Sequence, residues 1–274
     1  MKSENASRER WSLDDIPLER VDVERVRQSE ELFLLLAGAS FVETGSDLYT
    51  RNLVEQFRGD AEVSAWLADH WEPEELRHGH ALRAYVNHVW PEFDWEAAFA
   101  DFISDYSSGC TAGELEPTRC LEMAARCVVE MGTATYYRTI QAVADEPVLK
   151  RLVGLVQQDE VRHYKHFFRY FSKYNDIEQR NRVAVLGAVV RRLREIVRSD
   201  VDCGLWYPYR ARHGGASRDG REFRRGVARA ATLLRRHYPT AMAIRMLAKP
   251  LALPPAVTRL GVAPAKLAQR MLWR

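Results

Sequence analysis

The stretch Glu74-Glu75-Leu76-Arg77-His78-Gly79 decides how this chain is read. It lies inside WEPEELRHGHALRAY, a helical pattern, and it sets a carboxylate and an imidazole three residues apart, Glu75 and His78. Residues three apart share one helix face. Surface decoration and metal ligation are the competing explanations, and the partners elsewhere in the chain decide between them.

A second Glu-x-x-His occurs in QQDEVRHYKHF, as Glu160 and His163. With 23 Glu and 8 His in the chain, chance supplies roughly 0.7 such spacings, so position must add the weight. Leu149, Val153, Val156, Glu160, His163, Phe167 and Tyr170 fall on one otherwise apolar face. Leu67, Trp71, Glu75, His78, Leu82 and Val86 do the same. Met123, Cys127, Glu130, Ala134 and Tyr137 make a third stripe with a lone Glu. Leu36, Ala39, Ser40, Glu43 and Thr50 flank another.

Around these stripes the chain reads as long helices. The first covers about 21–57, in one or two pieces; the second runs to about residue 89, with Pro73 as a kink or an early helical position. WPEFDW (Trp90–Trp95) is a connection. A third helix spans about 118–144. Asp145-Glu146-Pro147 starts a fourth, to about residue 174, and a fifth covers about 178–198. Four long helices with short links predict an all-α four-helix bundle. The helices then present, in order, Glu; Glu-x-x-His; Glu; Glu-x-x-His. Four carboxylates in an apolar seam are prohibitive without compensation. Two divalent cations supply it, and carboxylate–imidazole ligands suit iron, or manganese in its place, better than tetrahedral zinc.

These residues resemble the ferritin-like di-iron carboxylate proteins, and within them the soluble acyl-acyl carrier protein desaturases. Those enzymes have W-x-x-E-E-x-R-H-G, here Trp71–Gly79, and D-E-x-R-H, here Asp159–His163. Their lone-Glu helix continues with A-T-F-like residues, here EMGTATYY. The resemblance covers about residues 30–175. It implies two irons: Glu43 and His78 on one, Glu130 and His163 on the other, Glu75 and Glu160 bridging. It further implies a threonine handling oxygen or protons (Thr133), and orienting groups at Asp159, Arg162 and Arg77. The context of Glu43, FVETGSDLY, departs from the family pattern, and Asp47 is a substitute candidate. His166 is either a seventh ligand or filler. The implied activity is O2-dependent desaturation of a fatty acyl thioester, with a ferredoxin-like electron donor, an acyl carrier protein partner and a homodimeric assembly. The rival activities are another di-iron oxygenase (hydroxylase, N-oxygenase or aldehyde-deformylating oxygenase) and non-enzymatic iron handling.

The remaining features bound this reading. No apolar run approaches the roughly 20 residues of a membrane span, and the polar start, MKSENASRERW, has no signal-peptide core. Four cysteines without a Cys-x-x-Cys pair argue against a disulfide framework or zinc site, so a reducing cytoplasm is expected. Residues 1–181 carry a net charge of −13 and residues 182–274 a net +15. This asymmetry divides the chain into a bundle with an N-terminal extension, 1–201, and a basic, partly helical C-terminal appendage, 202–274, cut by Pro250, Pro254, Pro255 and Pro264. The clustered arginines Arg191, Arg192, Arg224, Arg225, Arg235 and Arg236 could steer an acidic carrier protein or form a solvated face. AMAIRMLAKPLALPP is suited to an anionic membrane surface, and no nucleic-acid module is recognisable. Small residues around Glu43 (Gly38, Ala39, Ser40, Gly45, Ser46) either pack helices closely, the favoured reading, or leave room for an acyl chain. Trp71, Trp90 and Trp95 are read as packing.

Overall fold

A computed structural model describes residues 11–198 and 200–254. Pro255 and Pro264 lie outside the described residues, as does the chain before Trp11. Among the described residues every regular element is helical. The elements are α1 (Val23–Arg27), α2 (Glu30–Thr44), α3 (Asp47–Gln56), α4 (Ala61–Trp66), a π-turn over Leu67–Trp71, α5 (Glu72–Val89), α6 (Trp95–Tyr106), α7 (Arg119–Val143), α8 (Pro147–Glu178), α9 (Arg182–Arg198), α10 (Asp200–Arg212), α11 (Arg221–His237) and α12 (Thr240–Ala248).

Local chemistry sets the starts. Ser29, Asp60, Asp94 and Thr118 each turn a side-chain oxygen onto a backbone N–H of the first helical turn. Glu146 accepts from both Val148 and Leu149, and Pro147 occupies the first position of α8, where a missing N–H costs nothing. Pro73 likewise sits in the first turn of α5, directly after the π-turn, so it opens a helix rather than kinking one. At its far end α8 stops at Gln179, which takes the left-handed conformation at φ 51°.

Helix α2 pairs with α5 and α7 with α8; α10 packs on α2 and α6, α11 bridges α2 and α7, and α9 and α12 lie on α7. The result is an all-α, ferritin-like bundle with additional C-terminal helices. One apolar cluster joins α2, α5 and α6 to Trp206, Tyr207 and Tyr209 of α10 and Phe223 of α11. A second joins α3, α4, α7 and α8 to Val185, Ala188 and Val189 of α9. The polar seam lies where α2, α5, α7 and α8 meet.

Neither α6 nor α10 was expected as a helix from the sequence. α6 follows WPEFDW, and Trp95, Ala98, Phe102 and Tyr106 form its buried face at 3–4 residue steps. The first expected helix is broken by turns at Gln28–Ser29 and Gly45–Ser46, and the fifth begins at Arg182 because α8 runs on through Glu178.

The glycines near Glu43 serve close packing. A Cβ on Gly38 would stand 2.4 Å from the Gly204 carbonyl oxygen, so α2 and α10 cross backbone to backbone. On α5, a Cβ on Gly79 would stand 2.6 Å from the Thr44 backbone nitrogen of α2. These are the residues next to His78 and Glu43, so the crossing brings those two side chains together. Gly79→Ala is therefore expected to destabilise the fold by about 2 kcal/mol, read as a lower urea midpoint.

Candidate metal centre

The two Glu-x-x-His pairs face each other across α5 and α8, and the lone glutamates of α2 and α7 close the ring. Glu43, Glu75, His78, Glu130, Glu160 and His163 are all buried. Their donor atoms form two groups. Glu43, Glu75, His78 and Glu160 make one; Glu75, Glu130, Glu160 and His163 make the other. Within each group one ligand atom per residue lies within 4.8 Å of the others. Glu75 and Glu160 belong to both.

The contacts are crossed. His78 Nδ1 is 3.0 Å from Glu160 Oε1, and His163 Nδ1 is 2.9 Å from Glu75 Oε1. Glu43 Oε2 lies 3.8 Å from His78 Nδ1, and Glu130 Oε2 lies 3.5 Å from His163 Nδ1. The other ring nitrogens point outward. His78 Nε2 meets Asp159 Oδ2 at 3.1 Å, and His163 Nε2 meets Glu74 Oε2 at 2.9 Å. A proton on each Nε2 donates to these carboxylates and leaves each Nδ1 lone pair facing the centre, the tautomer a metal ligand needs.

The inward atoms supply the test of fit. Glu75 Oε1, His78 Nδ1, Glu130 Oε2, Glu160 Oε1 and His163 Nδ1 are buried and satisfy no hydrogen bond. Buried polar atoms are rarely left so, and five gathered within the two groups fit cations. Electrostatics agrees. Burial, then the charges of Glu160 and Glu43, raise Glu75 well above the usual carboxylate range. Burial, then Glu160, hold Glu130 up at about 8. Although burial opposes it, the neighbouring carboxylates of Asp159, Glu160 and Glu43 raise His78. Glu130, Glu74 and Glu75 do the same for His163. Protons thus offset the carboxylate charge at positions that divalent cations can take. Two imidazoles and four carboxylates are the ligand types expected for iron or manganese.

Around the ring, Thr133 Oγ1 donates to Glu160 Oε2 at 2.5 Å. Arg77 Nη2 lies 3.1 Å from Asp159, and Arg162 pairs with the other oxygen of the same carboxylate. Asp47 stands apart, lining a surface pocket of about 390 Å³ with Arg51, Glu55 and Glu72. His166 stacks on Trp66 at 4.9 Å and is in neither group. Trp71 packs on Phe167, while Trp90 and Trp95 donate to Arg27 O and Ser40 Oγ. Three residues escaped the sequence reading. Glu74 had a signal, since it precedes Glu75 as Asp159 precedes Glu160. Trp11 had none; it reaches back from the N-terminal segment to donate to Asp159 Oδ2 at 2.8 Å and lies parallel to the His78 ring. Tyr137 read as core and instead donates to Glu43 Oε1.

Of the arginines, Arg191 is tied to Glu116 at 2.5 Å, and Arg192 is buried and paired with Glu195 at 3.0 Å. Arg224, Arg225 and Arg236 of α11 are exposed. With Arg235 they have no acidic partner among the described residues. Three α11 arginines, Arg225, Arg229 and Arg236, line an open groove of about 570 Å³ against Glu31 of α2. No helix among the described residues is long and apolar enough to cross a membrane.

Fold and site together define an all-helical protein with a buried carboxylate–histidine cluster able to hold metal. The chain is similar to a Mycobacterium tuberculosis protein named "Putative acyl-(acyl-carrier-protein) desaturase DesA2", from strains CDC 1551 / Oshkosh and ATCC 25618 / H37Rv. Identity is 28% over 166 residues, covering 57% of this chain and 59% of that protein. The chain thus spans less than two thirds of the curated relatives it matches. No family model matches it.

Proposed function

We propose that this protein is an O2-dependent di-iron oxidase that desaturates a fatty acyl thioester. The observation that carries the reading is the pair of shared carboxylates: Glu75 and Glu160 each belong to both Glu/His groups. Glu43 and His78 would hold one iron, Glu130 and His163 the other, with Glu75 and Glu160 between them. When bound, such a pair supplies the redox chemistry needed to oxidise an unactivated C–H bond with O2. The similarity to a protein named as an acyl-carrier-protein desaturase supports the substrate class.

The chain's own residues do the rest. Asp159 and Glu74 fix the imidazole tautomers. Thr133 keeps a hydroxyl proton on Glu160, where it can be held or passed on beside the shared carboxylate. Trp11, Asp159 and His78 form a continuous contact path outward from the cluster, which suits entry of electrons from a ferredoxin-like donor. The α11 arginines offer an acidic acyl carrier protein a complementary surface. Arg224→Glu with Arg225→Glu should raise KM for a carrier-bound substrate about tenfold and leave KM for the same acyl group on a small thioester unchanged.

Protein loaded anaerobically with Fe(II), supplied with reductant and O2, and offered acyl thioesters, free acids, aldehydes and amines tests the reading. An unsaturated acyl product is the expected result, and Thr133→Val should lower its rate about 100-fold. Product from aldehydes or amines alone would overturn the substrate assignment. Bound iron that never consumes O2 would overturn the oxidase.

A further inference from the structure

The two lone glutamates are supported unequally. Glu43 Oε1 accepts the phenol proton of Tyr137, a side chain that is itself buried, and Glu43 Oε2 is left facing His78 Nδ1. The Tyr137 ring is fixed in turn by Tyr136, which meets it edge-on at 5.2 Å. The Tyr136 hydroxyl donates to Leu35 O of α2 at 2.8 Å. Two neighbouring tyrosines of α7 therefore clamp α2 at Leu35 and Glu43. Glu130 has nothing comparable. Around it stand His163, 3.5 Å from its Oε2, and the carboxylate of Glu160, and no phenol or other hydroxyl is among the described contacts of its side chain. Each imidazole has one outward carboxylate, and the shared Glu160 has Thr133. The phenol is thus a donor on the lone glutamate of one half that the lone glutamate of the other half lacks.

Resting on the metal-centre reading above, we infer that Tyr137 is a positioning residue that makes the Glu43–His78 half the first metal position to fill. A ligand oxygen already aimed and held loses less freedom on binding than one that must be ordered. A phenol donating to a carboxylate oxygen is a charge-assisted hydrogen bond, which holds that oxygen in place. Its removal frees Glu43 to rotate and takes that support from one half alone. Outer partners of metal ligands typically contribute 10–100-fold in affinity, and here that factor falls on one position alone.

The test is an anaerobic titration of the full chain with Mn(II), counting free ion by electron paramagnetic resonance and heat by calorimetry. Wild-type protein should bind two ions in two resolved steps. In Tyr137→Phe, which keeps the ring, the tighter step should weaken about 10–100-fold while the weaker step holds, so the steps merge. Thr133→Val, acting on a carboxylate common to both groups, should weaken both steps. Circular dichroism of each metal-free variant confirms that the helices persist. Unchanged steps in Tyr137→Phe, or an equal loss on both, would overturn the inference and leave the metal centre standing. Wild-type protein that binds no ion would overturn the metal centre itself.

Discussion

Glu160→Ala should empty both metal positions at once. After anaerobic loading, elemental analysis should fall from about two ions per chain to near zero, whereas Glu43→Ala should retain about one. The difference follows from membership. Glu160 supplies an oxygen to both groups, while Glu43 and Glu130 each supply one. Its removal also takes away the acceptor of Thr133 and the nearest carboxylate of His78. Loss of an outer partner alone costs 10–100-fold, so loss of a shared ligand should exceed about 100-fold at each position. The metal-free variant should keep its helices, because fewer crowded buried carboxylates means less repulsion. A variant that still binds two ions would remove Glu160 from the ligand set.

The second large effect is on stability, and it depends on pH. At free metal about 100 times the dissociation constant, each bound ion adds about 2.7 kcal/mol. Two ions should raise the thermal midpoint by about 10 °C or more over chelated protein. Glu130 has an ordinary value of 4.5 and stands at about 8 in the fold. Between those values the folded chain holds a proton that the unfolded chain has released, so metal-free stability falls as pH rises through that window. Glu75, His78 and His163 are raised too and act in the same direction. Burial pushes Asp159 and Glu160 up, but His78 and the other donors and positive charges around them together lower both. Their contribution is complete above the ordinary carboxylate range and is lost only below it, outside the window. Metal binding displaces the window's protons and so tightens with rising pH. The gap in midpoint between loaded and chelated protein should therefore widen from about pH 5.5 to about pH 8.5. A gap that narrows would contradict the protonation assigned to the cluster.

Much of the centre was legible because its signal is local. Glu75 with His78 and Glu160 with His163 are each one helical turn apart, and the apolar stripes around them state which way the helices face. Glu43 was harder, since a lone glutamate in FVETGSDLY has no partner within its own helix; the α2–α5 crossing at Thr44 and Gly79 places it. Trp11 was illegible for the same reason carried further, its partner Asp159 being 148 residues away. α6 was legible in principle from its 3–4 spacing and its Asp94 cap, but the turn residues before it masked the start. The seating of Trp206, Tyr207 and Tyr209 in the core depends on Gly204 meeting Gly38, a contact no periodicity announces. The small residues at Gly38 and Gly45 follow the favoured reading, close packing: each faces a neighbouring element, Gly204 and Ile103, rather than open space.

The exchange of outer carboxylates between α5 and α8 has a consequence for how such a chain can change. His78 depends on an acid carried by the other motif, and His163 depends on an acid carried by the first. Neither motif is therefore a self-sufficient cassette. A substitution at Glu74 is felt 89 residues away, at His163, before it is felt at His78. Among relatives, the residues before Glu75 and Glu160 should each drift in step with the opposite histidine rather than with its own neighbour. Grafting one motif alone into another bundle should transplant half of two sites and the whole of neither.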